Sequence, residues 1–216
     1  MFGPFTPTLL ALLTRKRSLL KLPVLKRAAE ASPVSQLCAG KIAVITGAAS
    51  GIGAALSKAC ARHGCNKLVL SDLHWSSDHS EEPDRHPLVT ELRSKGAEVL
   101  PLVVDVGRQE GILSMRDAVL QRFGPPHFLF NNAGVGMPGL LSASDDALAR
   151  CLDINLLSVV HGMRAFVGPM ESLGDNVECH IVNTASLAGI SESTGMVRET
   201  LTLPICACIA AHYLRI

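Results

Sequence analysis

The strongest constraint on this sequence is a glycine-rich turn that joins an apolar run to a helix-like segment. Residues 42–45 are all apolar and predict a short buried strand. Residues 46–53 follow at once as Thr-Gly-Ala-Ala-Ser-Gly-Ile-Gly, and residues 52–63 predict a helix that ends at a glycine. Because the free N–H groups at a helix N-terminus attract anions, this order of strand, turn and helix predicts a phosphate-binding site.

The glycines of this turn have separate physical roles. Gly47 lets the chain turn sharply after the strand, and Gly51 has no Cβ, so the backbone can approach a pyrophosphate. Gly53 allows the new helix to pack close to the sheet. A glycine-rich turn alone is also compatible with a purely structural role. The strand before it and the helix after it favour dinucleotide binding.

The chain beyond this turn alternates between strand-like and helix-like segments. This alternation predicts an α/β fold of the Rossmann type, a doubly wound parallel sheet in three layers. Residues 76–87 are rich in Ser, Asp, Glu, His and Pro, and predict a surface loop. Strands are predicted at 68–70, 99–104, 128–130 and 181–182, and helices at 88–95, 109–123 and 145–170.

Composition divides the chain into three parts. Residues 37–196 are expected to form the Rossmann domain, because the alternating pattern is confined to them. Residues 1–36 form a basic segment before it. Residues 197–216 form an apolar tail after it, because the character of the sequence changes abruptly after Met196.

The basic segment has the composition of a targeting sequence. Residues 1–40 contain six Lys and Arg but a single Glu, and leucines are interleaved with the basic groups. This pattern is typical of a mitochondrial presequence. It also suits a weak membrane contact through residues 1–27, although Pro23 would interrupt a helix there, or a disordered tail. We therefore expect a mitochondrial location, with a cytoplasmic or membrane-associated location as the alternatives.

Charge and composition argue against several other classes of protein. The net charge of the whole chain is only +1, so the part beyond the basic segment is slightly acidic and unsuited to nucleic acid. One Trp and one Tyr do not make a stacking platform for single strands. The seven Cys contain no Cys-x-x-Cys pair and the His are scattered, which predicts reduced thiols and no metal site. No run of 18 apolar residues occurs.

The end of the second predicted strand carries a carboxylate. Asp72 lies 19 residues beyond Gly53, a spacing that suits hydrogen bonds to the adenosine ribose hydroxyls. Its negative charge would repel a 2′-phosphate, and the residues directly after it supply no Lys or Arg. The sequence therefore favours NAD over NADP as the cofactor. The alternative for Asp72 is a turn residue.

Further motifs in order resemble the short-chain dehydrogenase/reductase family. The turn at 46–53 has the Thr-Gly-x-x-x-Gly-x-Gly spacing of that family. Asp105-Val106 follows the third strand, Asn131-Asn132-Ala133-Gly134 ends the fourth, and Ser186 ends the fifth. Asn155 lies in Asp-Ile-Asn-Leu on the long helix. The resemblance extends over about residues 41–196.

The resemblance implies a role for each of these positions. It implies hydride transfer between NAD and a small-molecule alcohol or ketone, with Ser186 and Asn155 as catalytic residues. It places Asp105 beside the adenine and the Asn-Asn-Ala-Gly motif where it steadies the sheet near the cofactor. Taken singly, Asn155 is equally a solvated helix residue, and Ser186 a turn former. The cofactor-binding residues implied are Thr46, Gly47, Ser50, Gly51, Ile52, Gly53, Asp72, Asp105, Val106, Asn132, Ala133 and Gly134.

One element of the family pattern is not found in this sequence. The family uses a Tyr as base and a Lys four residues later, whose ammonium lowers the Tyr pKa from about 10 because both lie on one helix face. Residues 187–201 contain neither Tyr nor Lys, and the single Tyr is Tyr213. We therefore assign the Tyr and Lys roles to no residue.

This departure leads to expectations about the whole chain. We expect the tail to derive from an altered reading frame, a retained intron or a misassembled gene, and the domain to lack its last strands. A sheet without them would expose apolar surface, which predicts low solubility. The family forms homo-oligomers through two helices, the second of which is not found here. An inactive dinucleotide-binding module and a non-functional truncated product are the alternatives to an enzyme.

Overall fold

The computed structural model describes residues 38–75, 82–136 and 143–185, and the backbone of 214–215. The basic segment 1–36, Ser186 and Tyr213 lie outside the described residues. All statements below concern the described part of the chain, which belongs to one unit, residues 38–216.

Strands and helices alternate in the order that the sequence predicts. The helix bounds agree with the predicted ones to within one or two residues, because glycines or short loops end most of them. The strands are β1 Ile42–Thr46, β2 Lys67–Asp72, β3 Glu98–Val103, β4 Phe128–Asn131, β5 His180–Asn183 and β6 Leu214–Arg215. The helices are α1 Gly51–Arg62, α2 Pro87–Ser94, α3 Gln109–Phe123, α4 Asp145–Leu152 and α5 Ser158–Glu171.

The strands form one sheet in the order β3-β2-β1-β4-β5-β6. Strands β1 to β5 are parallel, which confirms the predicted Rossmann-type sheet. The chain reverses its direction of winding between β1 and β4, and a crevice opens at such a switch point beyond the carboxyl ends of the strands. The sheet thus sets the position of the candidate site.

The sixth strand is the element that the sequence did not predict. The backbone of Leu214–Arg215 pairs antiparallel with β5, where Ile181 lies opposite Leu214. A strand of two residues leaves no alternating pattern in a sequence, so periodicity could not reveal it.

Two apolar layers cover the two faces of the sheet. Val44 of β1 faces a cluster that includes Met115 of α3 and Phe166 of α5. Its neighbour Ile45 faces the opposite cluster, which includes Leu92 of α2. Because successive side chains of a strand point to opposite faces, one fully buried strand supplies both layers. The three-layer architecture is the predicted one.

The long predicted helix 145–170 is interrupted by a π-helical turn. Helix α4 ends at Leu152, the turn occupies Asp153–Leu157, and α5 begins at Ser158. Such turns accommodate one extra residue per turn and are frequent at functional sites. Here the turn contains Asn155, a residue that the sequence analysis assigned to the site. None of the described helices combines the length and hydropathy that crossing a bilayer requires.

Candidate cofactor site

A cavity of about 680 Å³ opens at the carboxyl ends of the parallel strands. Its walls come from the loops that follow β1 to β5 and from α4, as expected for the crevice of a doubly wound sheet. Most of the residues assigned to the cofactor from the sequence line it. These are Gly47, Ser50, Gly51, Ile52, Asp72, Asp105, Val106, Asn132, Ala133 and Gly134.

The glycine-rich turn is held by very close packing. Gly47 has φ +64°, and a Cβ on it would lie 2.8 Å from the Cα of Ala133. A Cβ on Gly53 would overlap the carbonyl group of Gly47 and approach the side-chain amide of Asn132. Gly53 therefore lets α1 pack against the turn itself as well as against the strand ends. The missing side chains keep the turn compact at the mouth of the cavity.

Thr46 fastens this turn to the loop after β4. Its Oγ1 accepts hydrogen bonds from the N–H groups of Asn132, at 2.9 Å, and Ala133, at 3.0 Å. The same hydroxyl donates to the carbonyl oxygen of Phe130 at 3.3 Å. Thr46 does not line the cavity, but its hydroxyl holds Asn132 and Ala133, which do.

The side chain of Asn132 joins three strand ends. Its Nδ2 donates to the carbonyl oxygens of Thr46, at 3.0 Å, and Gly47, at 3.3 Å. Its Oδ1 accepts a hydrogen bond from the Thr184 hydroxyl at 3.1 Å. Asn132 thus connects the carboxyl ends of β1 and β5 from its place after β4.

Asn131 makes a second amide contact beneath the cavity. Its Nδ2 donates to Oδ1 of Asn183 at 2.8 Å, and both side chains are buried. A Cβ on Gly162 of α5 would overlap the Asn131 amide, so this glycine lets the helix lie directly on it. Asn183 and Thr184 were not predicted from the sequence to have a role at the site. Polar residues at the end of a buried strand were the signal that could have identified them.

Asp72 stands at the end of β2 and is tied to the phosphate turn. Its Oδ2 accepts a hydrogen bond from the N–H of Ala49 at 3.0 Å, and its Oδ1 accepts one from the N–H of His74 at 3.1 Å. Each carboxylate oxygen can accept a further hydrogen bond. The carboxylate is therefore fixed in place and still has acceptor capacity on the cavity side.

Asp105 lines the cavity beyond β3 and accepts hydrogen bonds from two donors. Its Oδ1 accepts hydrogen bonds from Arg150 Nη2 at 2.8 Å and from the N–H of Gly107 at 3.0 Å. Burial works to raise the pKa of Asp105, but these bonds outweigh it and hold the pKa below its ordinary value. Arg108 Nε lies 3.7 Å from Oδ2. Arg150 was not predicted from the sequence to belong to the site, because an Arg on a helix usually lies in solvent.

Asn155 binds the backbone of the loop after β4. Its Nδ2 donates to the carbonyl oxygen of Val135 at 2.9 Å, and its Oδ1 accepts from the N–H of Val135 at 2.8 Å. The interpretation of Asn155 as a solvated helix residue is therefore wrong. The side chain fixes the loop that forms one wall of the cavity, although Asn155 itself does not line it.

The sequence of this chain is similar to those of known short-chain dehydrogenases. The family model for short chain dehydrogenase matches residues 41–198. SadH of Mycobacterium tuberculosis is 37% identical over 155 residues, which cover 70% of this chain and 51% of SadH. The chain thus spans about half the length of SadH.

Solved structures show the same fold. A short-chain dehydrogenase/reductase from Burkholderia phymatum in complex with NAD has 37% identity and a TM-score of 0.65, over 80% of this chain and 56% of that one. L-sorbose reductase from Gluconobacter frateurii, complexed with NADPH and L-sorbose, has 28% identity and a TM-score of 0.66, over 80% and 61%. With the family model matched from the first strand past the fifth, the chain belongs to the short-chain dehydrogenase/reductase family of oxidoreductases, which have a Rossmann fold and bind NAD or NADP.

Proposed function

We propose that the cavity binds NAD and that the protein to which this chain corresponds transfers hydride between NAD and an alcohol or ketone. The observation that carries the proposal is the cavity at the switch point, whose lining includes both the glycine turn and the carboxylate of Asp72. The pyrophosphate fits the turn, because residues 50–52 open α1 and present its free N–H groups. Asp72 fits the adenosine ribose, because its oxygens retain acceptor capacity.

The preference for NAD over NADP follows from the charges at the adenosine end. Asp72 would repel a 2′-phosphate. Among the described residues that line the cavity, Arg150 is the one Lys or Arg, and it is paired with Asp105. The Burkholderia phymatum relative was crystallised with NAD and L-sorbose reductase with NADPH, so the family accommodates both cofactors. The proposed preference for NAD therefore rests on Asp72 and the other charges of this site and not on the family.

The reacting end of the cofactor would lie beyond β4 and β5. Bound NAD would supply the acceptor for a hydride from the alcohol carbon. Asn155 would keep the Val135 loop in place beside it, through the two hydrogen bonds to the Val135 backbone. Ser186 follows the described Thr184 by two residues and, on the family resemblance, would hold the substrate oxygen.

A second candidate function is dinucleotide binding without turnover. It is favoured by one observation, the sequence of residues 187–201, which offers neither a Tyr as base nor a Lys to lower its pKa. A non-functional product of these 216 residues is the remaining alternative. The three alternatives differ in measurable ways: turnover with binding, binding alone, or neither.

The test is a titration of the purified chain with NADH, followed by energy transfer from tryptophan. Trp75 is the single Trp and is buried, with its Nε1–H donating to the carbonyl oxygen of Leu102 at 3.1 Å. It lies near the adenosine side, two residues in sequence beyond Leu73, which lines the cavity. A saturable signal that is lost in Trp75→Phe supports the cofactor site. A soluble, folded chain with no signal would reject it.

Turnover is measured on the same preparation with a panel of secondary alcohols and NAD. Production of NADH that saturates with the alcohol supports the enzyme. Saturable binding of NADH without any turnover supports the binding module instead. The Asn155→Asp variant is a control for the enzyme, because a new charge at the Val135 loop should reduce turnover more than it reduces NADH binding.

We further propose that residues 1–36 direct the protein to mitochondria. Their excess of basic over acidic groups supports this proposal. Residues 1–36 fused to a fluorescent protein should direct it to mitochondria, and replacing Arg15, Lys16 and Arg17 by Gln should weaken this. A diffuse fusion, or one on other membranes, would contradict the proposal.

A further inference from the structure

The adenosine end of the cavity is crossed by an ion pair that the family resemblance did not indicate. Arg150 belongs to α4, which follows β4, whereas Asp105 follows β3. In the sheet, β3 and β4 are separated by β2 and β1. The Arg150–Asp105 contact of 2.8 Å therefore joins two parts of the fold that lie on opposite sides of the switch point.

The structure makes room for this contact. A Cβ on Gly107 would overlap the guanidinium group of Arg150 in its observed position, so the glycine leaves room for Arg150 to lie over the β3–α3 turn as it does. The N–H of Gly107 also donates to Oδ1 of Asp105, the atom that Arg150 contacts. The side chains of Arg150 and Asp105 are 37% and 24% exposed, so the pair is partly shielded from solvent. Such pairs are better oriented than fully exposed ones.

The two oxygens of the Asp105 carboxylate differ in their hydrogen-bond partners. Oδ1 accepts from both Arg150 and Gly107. Oδ2 has Arg108 Nε at 3.7 Å, which is too long for a hydrogen bond. Oδ2 is therefore the oxygen with acceptor capacity left. An ionised carboxylate accepts hydrogen bonds and donates none, so this atom selects for a donor.

Adenine offers such a donor in its 6-amino group. If the pyrophosphate lies on the glycine turn and the ribose at Asp72, the base lies farther along the same side, beside β3. There the cavity is lined by Val104 and Val106, whose apolar side chains suit the faces of a base, and by Asp105. Arg150 lines the same end.

We propose that Arg150 is a positioning residue for the adenine: by holding Oδ1 of Asp105, it leaves Oδ2 as the acceptor for the adenine amino group. This inference rests on the proposed dinucleotide function. It makes Arg150 important for recognising the base without any contact between Arg150 and the base. It also predicts that the loss of Arg150 affects ligands with an amino group at that position and spares ligands without one.

The experiment compares NAD with its purine analogue, in which a hydrogen atom replaces the 6-amino group of adenine. Dissociation constants for both ligands are measured on the full chain, as wild type and as Arg150→Gln. The wild type should prefer NAD by about 10-fold, since the analogue has no amino group to donate a hydrogen bond to the carboxylate of Asp105. Arg150→Gln should bind NAD several-fold more weakly, bind the analogue almost unchanged, and lose most of the preference.

Two further variants keep the outcome interpretable. Arg150→Lys retains a charge near Asp105 without the planar fork, and should keep part of the preference even if Arg150→Gln is unstable. Arg122→Gln removes another Arg–carboxylate pair, that with Glu98 at 3.4 Å, located where β3 begins, and should leave both affinities unchanged. A thermal melt of each variant without ligand reports any loss of folding.

The possible results separate the inference from the proposed function. Equal weakening of NAD and the analogue in Arg150→Gln would overturn the inference, because it indicates a general structural role or direct stacking on the base. Equal affinity of the wild type for both ligands would overturn it as well, while leaving NAD binding intact. A folded wild type that binds neither ligand would reject the proposed function and the inference together.

Discussion

The two halves of the cavity, which we name the adenosine half and the nicotinamide half after the proposed binding mode, are built from different chemistry. Beyond β2 and β3 the cavity wall contains two carboxylates, Asp72 and Asp105, which can accept further hydrogen bonds. Beyond β4 and β5 the polar side chains are neutral amides and hydroxyls that bond mainly to one another and to the backbone. Those bonds include Asn131 to Asn183, and Asn132 to Thr46 and Thr184.

This difference indicates a division of work. The adenosine half presents groups that a ligand can use, so changes there should alter ligand affinity and specificity before they alter stability. In the nicotinamide half the described groups are already satisfied by the protein, so changes there should reduce stability first. The glycine turn lies between the halves and should affect both. Each prediction below tests one part of this comparison, from the largest expected effect to the smallest.

The largest effect is expected at Gly53, where the two halves meet. In Gly53→Val the new Cβ overlaps the Gly47 carbonyl and the Asn132 amide, so the turn and the β4 loop must move apart. We expect a loss of about 3 kcal/mol or more in the free energy of unfolding, together with loss of NADH binding. Urea unfolding and the tryptophan titration measure the two effects.

The matched control for Gly53→Val is Ala55→Val, which adds a branched side chain at an exposed position of the same helix. It should cost only about 0.5 kcal/mol through helix propensity. If Gly53→Val were as stable as this control, the close packing of the turn would not be what joins the two halves.

The second effect tests the nicotinamide half through Asn131. Asn131→Ala removes the donor to Oδ1 of Asn183 and leaves that buried oxygen without its partner. The free energy of unfolding should fall by about 2 kcal/mol, while the preference for NAD over NADP stays unchanged. Asn176→Ala, at an exposed turn, is the control and should have little effect. A change of cofactor preference without loss of stability would reverse the proposed division of work.

The third effect tests the adenosine half through Asp72. Asp72→Asn removes the negative charge, keeps one oxygen to accept the Ala49 N–H, and loses the exposed hydrogen bond from the His74 N–H. The ratio of NADPH to NADH affinity should rise by about 10-fold, and the melting temperature should change little. Asp117→Asn removes a surface carboxylate that is paired with Arg116 at 2.7 Å, and should leave the ratio unchanged. An unchanged ratio in Asp72→Asn would remove the basis for the NAD preference.

The same comparison shows how far the sequence alone could lead. The strands, the switch point and the glycine turn have local patterns, an apolar run, a helical period and spaced glycines, so they were predicted with nearly correct bounds. The cross-strand partners have no such pattern. Asn183 and Thr184 contact Asn131 and Asn132 over a separation of 52 residues along the chain, and only the parallel register brings them together.

Arg150 illustrates the limit most clearly. From the sequence it is an ordinary basic residue in the last turn of a helix, where a positive charge is favourable in any case. Its contact with Asp105 depends on the glycine at 107 and on how α4 lies over the β3–α3 turn. Neither feature is encoded in a local stretch of residues. The places of the two carboxylates after strands were therefore predictable from the sequence, and the contact of Arg150 with one of them was not.

The smallest effect concerns the pH dependence of stability that arises from Asp105. Burial works to raise its pKa, but the hydrogen bonds from Arg150 and Gly107 and the nearby charges lower it below the unfolded-state value of about 3.9. The native state therefore holds this proton less tightly than the unfolded state does. The resulting stabilisation is fully present above the unfolded-state pKa and is lost as the pH falls through the lower folded-state pKa.

Because the pair of Asp105 and Arg150 is partly exposed, solvent screening limits the contribution to about 1 kcal/mol or less. The stability gap between the wild type and Asp105→Asn, measured without ligand by urea unfolding from pH 7 down to pH 3, should be constant at first and narrow below about pH 4. A gap that widened on acidification would mean that Asp105 is easier to protonate in the folded protein, and the adenosine half would then lack the fixed charge on which its specificity is proposed to depend.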